Sequence, residues 1–174
     1  MNNIEKKPKS VIKIITPILI IVVIVGIFIL KSNPDKPIAA NTGDFALEAT
    51  AIDLEQLKSY GLPIVIDFGA DSCIPCKEMA PVLQKLNKEM QGKAIVKFVD
   101  VWKNKNAADD FPVQVIPTQF YFDKNGNPFV PQDAKAMQME LYSTRDTNKH
   151  VYTAHQGGMT EAQLRAVLKE MGVE

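Results

Sequence analysis

The chain is poor in the residues that build disulfide scaffolds and metal centres, and it carries no excess charge of either sign. It has two cysteines and two histidines in 174 residues. Two cysteines cannot form the multi-bridge framework of a small secreted domain. The histidines, His150 and His155, stand five apart, which does not supply the second ligand pair a zinc site needs. With 20 basic and 20 acidic residues the formal net charge is zero, so there is no electrostatic footprint for nucleic acid. No internal repeat is found, and nothing beyond the N-terminal segment is low-complexity.

What is present is concentrated. Both cysteines fall in Cys73-Ile74-Pro75-Cys76, directly after the apolar run Leu62-Pro63-Ile64-Val65-Ile66-Asp67-Phe68. That order places a dithiol where a buried strand turns into a helix, so the first thiol meets the positive end of the helix dipole. Two intervening residues let the sulfurs reach disulfide geometry within one helical turn, and Pro75 supplies a pre-set φ where no free amide is needed. Cys73 is expected to be the exposed attacker and Cys76 the resolver. The competing roles are a structural staple and half of a metal site. A staple across so short a loop gives little chain-entropy stabilisation, and no second ligand pair accompanies the motif. Redox exchange is the expected role.

The first 40 residues suggest where that dithiol works. Ile14 to Leu30 is a run of 17 residues without a charge, and Val11 to Leu30 is 20 residues interrupted by Lys13 alone. At about 1.5 Å per residue the longer stretch spans roughly 30 Å, one hydrocarbon core. Lys6, Lys7, Lys9 and Lys13 outweigh Glu5 before it, whereas Asp35 accompanies Lys31 and Lys36 after it. The positive-inside rule then puts residues 1–10 in the cytoplasm, 11–30 across the membrane, and a Pro-containing tether, 31–43, outside. Residues 44–174 are expected to form one domain on the extracytoplasmic side of a single-pass cell-membrane protein. Ile38-Ala39-Ala40 offers a small-residue cleavage site, but it lies some ten residues beyond an apolar run already longer than a usual signal peptide's. No cysteine directly follows the run, which excludes a lipidated thiol there.

Within the domain the pattern alternates. Asp53–Tyr60 is expected to be helical with Gly61 as its stop, Ile64–Phe68 a buried strand, and Cys76–Met90 a helix with an apolar stripe, kinked at Pro81 and ended by Gly92. Its methionines read as core filler. Ala94–Trp102 is expected as a strand, Lys105–Phe111 as a short helix, and Thr118–Phe122 as a strand closed by a turn at Asn125-Gly126. Met139, Leu141 and His150–Tyr152, flanking 144–148, suggest a further hairpin. Thr160-Glu161-Ala162-Gln163 is a capping box opening a last helix before Gly172.

Asp67-Phe68-Gly69-Ala70-Asp71-Ser72-Cys73-Ile74-Pro75-Cys76-Lys77, then Pro81, Ile116-Pro117-Thr118, Asn125-Gly126 and Gly157, resemble the thioredoxin family in order and spacing over about residues 45–126 and 150–172. The resemblance implies an α/β fold, a central mixed β-sheet flanked by helices. It implies Cys73 as nucleophile, Cys76 as resolving cysteine, Asp67 as the buried carboxylate behind it and Lys97 as a lysine nearby. Pro117 matches the cis-proline facing the dithiol, and with Ile116 and Gly157 would form the substrate-binding edge. Desolvation on an otherwise apolar strand would raise the Asp67 pKa and suit it to accept a proton from Cys76. Gly69 and Ser72 stand where the family usually carries tryptophan; the chain keeps its one tryptophan at Trp102. About 127–149 is an insertion relative to the family, with an extended sheet edge or partner choice as its roles.

The function expected is a membrane-anchored thiol:disulfide oxidoreductase acting on extracytoplasmic disulfide-containing proteins, with no metal or organic cofactor and with a transmembrane electron donor as partner. Cytochrome c maturation and disulfide repair are the contexts the resemblance offers. Two alternatives remain at this stage: a copper-delivery module using Cys73, Cys76 and a histidine such as His155, since soft thiolates favour Cu(I), and an oxidase donating disulfides.

Overall fold

The computed structural model describes residues 43–173. The expected cytoplasmic segment, membrane anchor and most of the tether lie outside them. Among the described residues no helix is long and apolar enough to cross a membrane.

Five strands form one mixed sheet. They are β1 (Ile64–Gly69), β2 (Ile95–Asp100), β3 (Thr118–Phe122), β4 (Met139–Ser143) and β5 (His150–Gln156), in the spatial order β2-β1-β3-β5-β4. β1 runs parallel to β2 and antiparallel to β3, and the β3–β5 and β5–β4 pairs are antiparallel. The helices are α1 (Leu54–Lys58), α2 (Ile74–Glu89) and α3 (Glu161–Glu170), with a 3₁₀ turn at Gly43–Phe45. Residues 47–49 add to the outer edge of β2, where Phe98 N–H donates to Leu47 O and Ala49 N–H to Phe98 O.

Both sheet faces are covered, which explains why β1 is apolar at nearly every position instead of alternating. On one face Val65, Val96 and Tyr121 pack against Met79 and Leu83 of α2 and Leu164 of α3. On the other Ile66, Phe68, Val99 and Phe120 pack against Phe45, Leu57 and Phe111. Met79 and Met90 are buried in the first cluster, the core role expected of them.

Local signals produced the element ends. Asp53 caps α1, its carboxylate accepting the Gln56 N–H at 3.0 Å, and Gly61 follows at φ +65. Thr160 and Gln163 form the reciprocal capping box of α3. Helix α2 begins at Ile74, two residues earlier than expected, because Cys73 takes the extended N-cap conformation and Pro75 fits the first turn; it continues through Pro81 to Glu89. The expected hairpin is present as β4 and β5, so the 127–149 segment supplies the edge strand of the sheet.

The expected helix at Lys105–Phe111 is not formed. Residues 101–110 make successive tight turns, with Ala107 N–H bonding Asn104 O and Phe111 N–H bonding Ala108 O. Three-residue closures of this kind do not propagate an α-helix, and Phe111 alone of the stretch is buried, so no apolar stripe rewards one. β2 stops at Asp100: Val101 N–H still reaches Gly69 O, and the Asp100 carboxylate then takes the Trp102 and Lys103 N–H donors.

Candidate active site

The end of β1 and the start of α2 hold the dithiol. Cys73 is the N-cap of α2, half-buried, with φ −81 and ψ 126; Cys76 sits one turn inside and is 4% exposed. The turn between strand and helix is tied down from β2, since Asp100 Oδ2 accepts the Asp71 N–H at 3.0 Å. Facing the dithiol is the cis Ile116–Pro117 bond. Cys73 Sγ points at Ile116 O, 3.9 Å away, and Pro117 O accepts the Gly157 N–H at 2.8 Å. Ile116, Pro117 and Gly157 are thus brought to one edge beside the Cys73 sulfur. Ile74 is 71% exposed and Val115 48%, so the positions next to Cys73 and Ile116 carry apolar side chains in solvent.

Asp67 lies on β1 with no exposed surface. Burial pushes its pKa up to about 7, against which a hydrogen bond from Gln119 acts. That bond, Gln119 Nε2 to Oδ1, is 2.8 Å long; Oδ2 has no hydrogen-bond partner among the described residues. The Cys76 thiol is pushed up to about 12, first by burial, then by its hydrogen bond with Cys73, with the charges of Cys73 and Asp67 adding to the shift. Gly69 shows how these groups face one another. A Cβ at Gly69 would stand 3.2 Å from Cys76 Sγ and 3.4 Å from Asp67 Oδ2, so the free carboxyl oxygen and the Cys76 sulfur border the same gap. A cleft of about 210 Å³, lined in part by Ala70, Asp71, Cys76 and Phe98, opens beside it.

Lys97 does not belong to this site. Its register partner on β1 is Ile66, one position from Asp67, which turns its side chain to the opposite face of the sheet. There Nζ donates to Gly43 O at 2.9 Å and Ala46 O at 2.7 Å, and burial holds its pKa down. His155 also departs from the copper reading. It is buried on β5 with Nδ1 3.0 Å from Gln119 Oε1, and among the described residues no three His, Cys, Asp or Glu side chains are grouped as a metal would require.

Gln119 is the site residue that sequence reasoning missed. The signal was available: it is a polar residue inside the apolar strand Thr118–Phe122, as Asp67 is inside β1.

Comparison with known proteins agrees with this geometry. A thioredoxin family model matches residues 52–146. The thioredoxin of Rickettsia conorii is 38% identical over 65 residues, which span 37% of this chain and 61% of that one. Thioredoxin C-2 of Corynebacterium nephridii is 33% identical over 108 residues, 62% of this chain and 94% of that one. The X-ray structure of Fasciola hepatica thioredoxin is similar at a TM-score of 0.50 and 26% identity, covering 72% of this chain and 99% of that one. The chain belongs to the thioredoxin family of thiol:disulfide oxidoreductases.

Proposed function

We propose that this protein is a membrane-anchored thiol:disulfide oxidoreductase that reduces or exchanges disulfides of extracytoplasmic proteins, in cytochrome c maturation or disulfide repair, with electrons supplied by a transmembrane dithiol donor. The observation that carries the chemistry is the asymmetry of the pair: Cys73 is accessible at a helix N-terminus, and Cys76 is buried beside the free oxygen of Asp67. The uncharged run Ile14–Leu30 and the lysines before it support the anchored, outward-facing arrangement.

In the first step the Cys73 thiolate attacks one sulfur of the substrate disulfide. A Cys73–substrate bond forms, the substrate S–S bond breaks, and the other substrate sulfur leaves as a thiolate that takes a proton from solvent. In the second step the Cys76 thiol gives its proton to the Asp67 carboxylate and the resulting thiolate attacks Cys73 Sγ. The mixed disulfide breaks, the second substrate sulfur leaves with the electron pair, and the Cys73–Cys76 disulfide remains. Two electrons have passed to the substrate, and the donor returns them. Substrate would lie along Ile116, Pro117 and Gly157, with Ile74 and Val115 giving apolar contact.

Cys76→Ser tests the assignment of roles. It is expected to accumulate a covalent mixed disulfide with substrate through Cys73, and Cys73→Ser to trap nothing. Equal trapping by the two variants contradicts the roles.

A further inference from the structure

Asp67 does not stand alone in its layer of the sheet. The register aligns Phe98 of β2, Asp67 of β1, Gln119 of β3, His155 of β5 and Met139 of β4 in one row, and alternation along strands puts all five on one face. Three consecutive members are polar and buried: Asp67 and Gln119 have no exposed surface and His155 is 4% exposed. They are joined in sequence, Gln119 Nε2 to Asp67 Oδ1 at 2.8 Å and His155 Nδ1 to Gln119 Oε1 at 3.0 Å.

The direction of that chain is determined by its ends. Gln119 Nε2 faces three acceptors, Asp67 Oδ1, the Gly157 carbonyl at 3.1 Å and Met79 Sδ at 3.7 Å, so the amide must present its NH₂ there and its oxygen to His155. The amide oxygen can only accept, so His155 Nδ1 carries the proton. Burial lowers the His155 pKa, which keeps the ring neutral near pH 7. Among the described residues Gln119 gives Asp67 its one side-chain hydrogen bond, and it takes Oδ1, leaving Oδ2 as the oxygen at the gap beside Cys76.

We infer that Gln119, held by His155 and the Gly157 carbonyl, is a positioning residue that sets the proton affinity of Asp67 and directs its free oxygen to Cys76. The inference rests on the oxidoreductase reading for its consequence in rate. Removing the amide takes away the bond that favours the ionised carboxylate, so Asp67 holds its proton to higher pH. Removing the imidazole frees the amide to turn, and weakens the same bond. The other groups facing Asp67 are the Cys76 thiol from α2 and the Tyr121 hydroxyl from β3, which donates to Met159 Sδ at 2.9 Å; β2 contributes the uncharged Phe98. Gly157 ties the row to the substrate edge, since its carbonyl accepts from Gln119 and its N–H donates to Pro117 O.

The experiment follows the ¹³C-labelled Asp67 carboxyl by NMR in the reduced full-length protein across about pH 4 to 10, beside single-turnover reduction of a disulfide peptide. Gln119→Leu is expected to raise the Asp67 midpoint by about one pH unit and to carry the acid limb of the rate with it, a loss of about tenfold below the midpoint that disappears above it. His155→Leu is expected to move both in the same direction by less, and His155→Gln, which can still donate to the amide oxygen, to leave both at wild-type values. A purely structural role would lower stability without moving the midpoint. An unmoved midpoint in Gln119→Leu and His155→Leu overturns the inference, and should Gln119→Leu fail to fold, the two His155 variants decide it by differing or not. A midpoint that moves while the rate does not upholds the control of Asp67 and overturns its role as proton acceptor.

Discussion

In the proposed mechanism Asp67 is the residue at which stability and chemistry oppose each other. Its folded pKa, pushed up to about 7 by burial, lies above the 3.8 of a free carboxyl, so the folded protein binds this proton more tightly than the unfolded chain. The stabilisation from that proton is fully present below about pH 4 and is lost as pH rises through about 7. Above that, the buried charge costs up to about 4 kcal/mol. Asp67→Asn is expected to be more stable than wild type by about 2–4 kcal/mol at pH 8, with the difference shrinking toward acid, as measured by denaturant unfolding across pH. The same variant is expected to resolve mixed disulfides more slowly near neutral pH, because Cys76 loses its proton acceptor. Lys97 gives the opposite expectation. Its ammonium serves two backbone carbonyls on the other face. Lys97→Met should therefore lower stability by about 1–3 kcal/mol and leave the reduction rate unchanged; a slowed rate at intact stability would return Lys97 to the site.

At the scale of elements, the helix starts do most of the positioning. α2 holds Cys73 at its cap and turns Cys76 inward because its first turn contains the dithiol. α3 begins four residues after Gly157, and its capping box holds that start in place. Thr160→Ala removes one side of the box and is expected to cost about 1 kcal/mol of stability in chemical denaturation, with disulfide reduction unaffected. These starts were legible from local chemistry: Asp53, Thr160 and Gln163 form their caps within four residues of chain. The stretch 105–111 was not, because the chain enters it through turns at 100–103 held by Asp100, whose carboxylate also reaches back to Asp71. Local composition does not contain that long-range partner.

At the scale of the whole molecule the proposed anchor raises the question of which side of a membrane the domain would occupy. The lysines at 6, 7, 9 and 13 beside the uncharged run place it outside on the proposed reading. With two cysteines in the whole chain, topology can be read by thiol labelling. After gentle reduction, a membrane-impermeant thiol reagent is expected to label Cys73 in intact cells expressing the protein. Labelling confined to lysed cells would show the domain inside.

The sequence by itself determined the dithiol, the strand-to-helix setting, the cis-proline position, the β4–β5 hairpin and the family. Each is carried by residues close together in the chain, or by motifs whose order survives without coordinates. Only the tertiary structure decided which side chains share a face of the sheet. Lys97 and Asp67 looked like neighbours, but a register offset of one residue sends their side chains to opposite faces. Gln119, 52 positions from Asp67, becomes its partner, and His155, 88 positions from Asp67, becomes the partner of Gln119, because three strands pair in one register. Period-two alternation makes facing an all-or-none outcome of pairing, and pairing between distant strands is a property of the folded sheet.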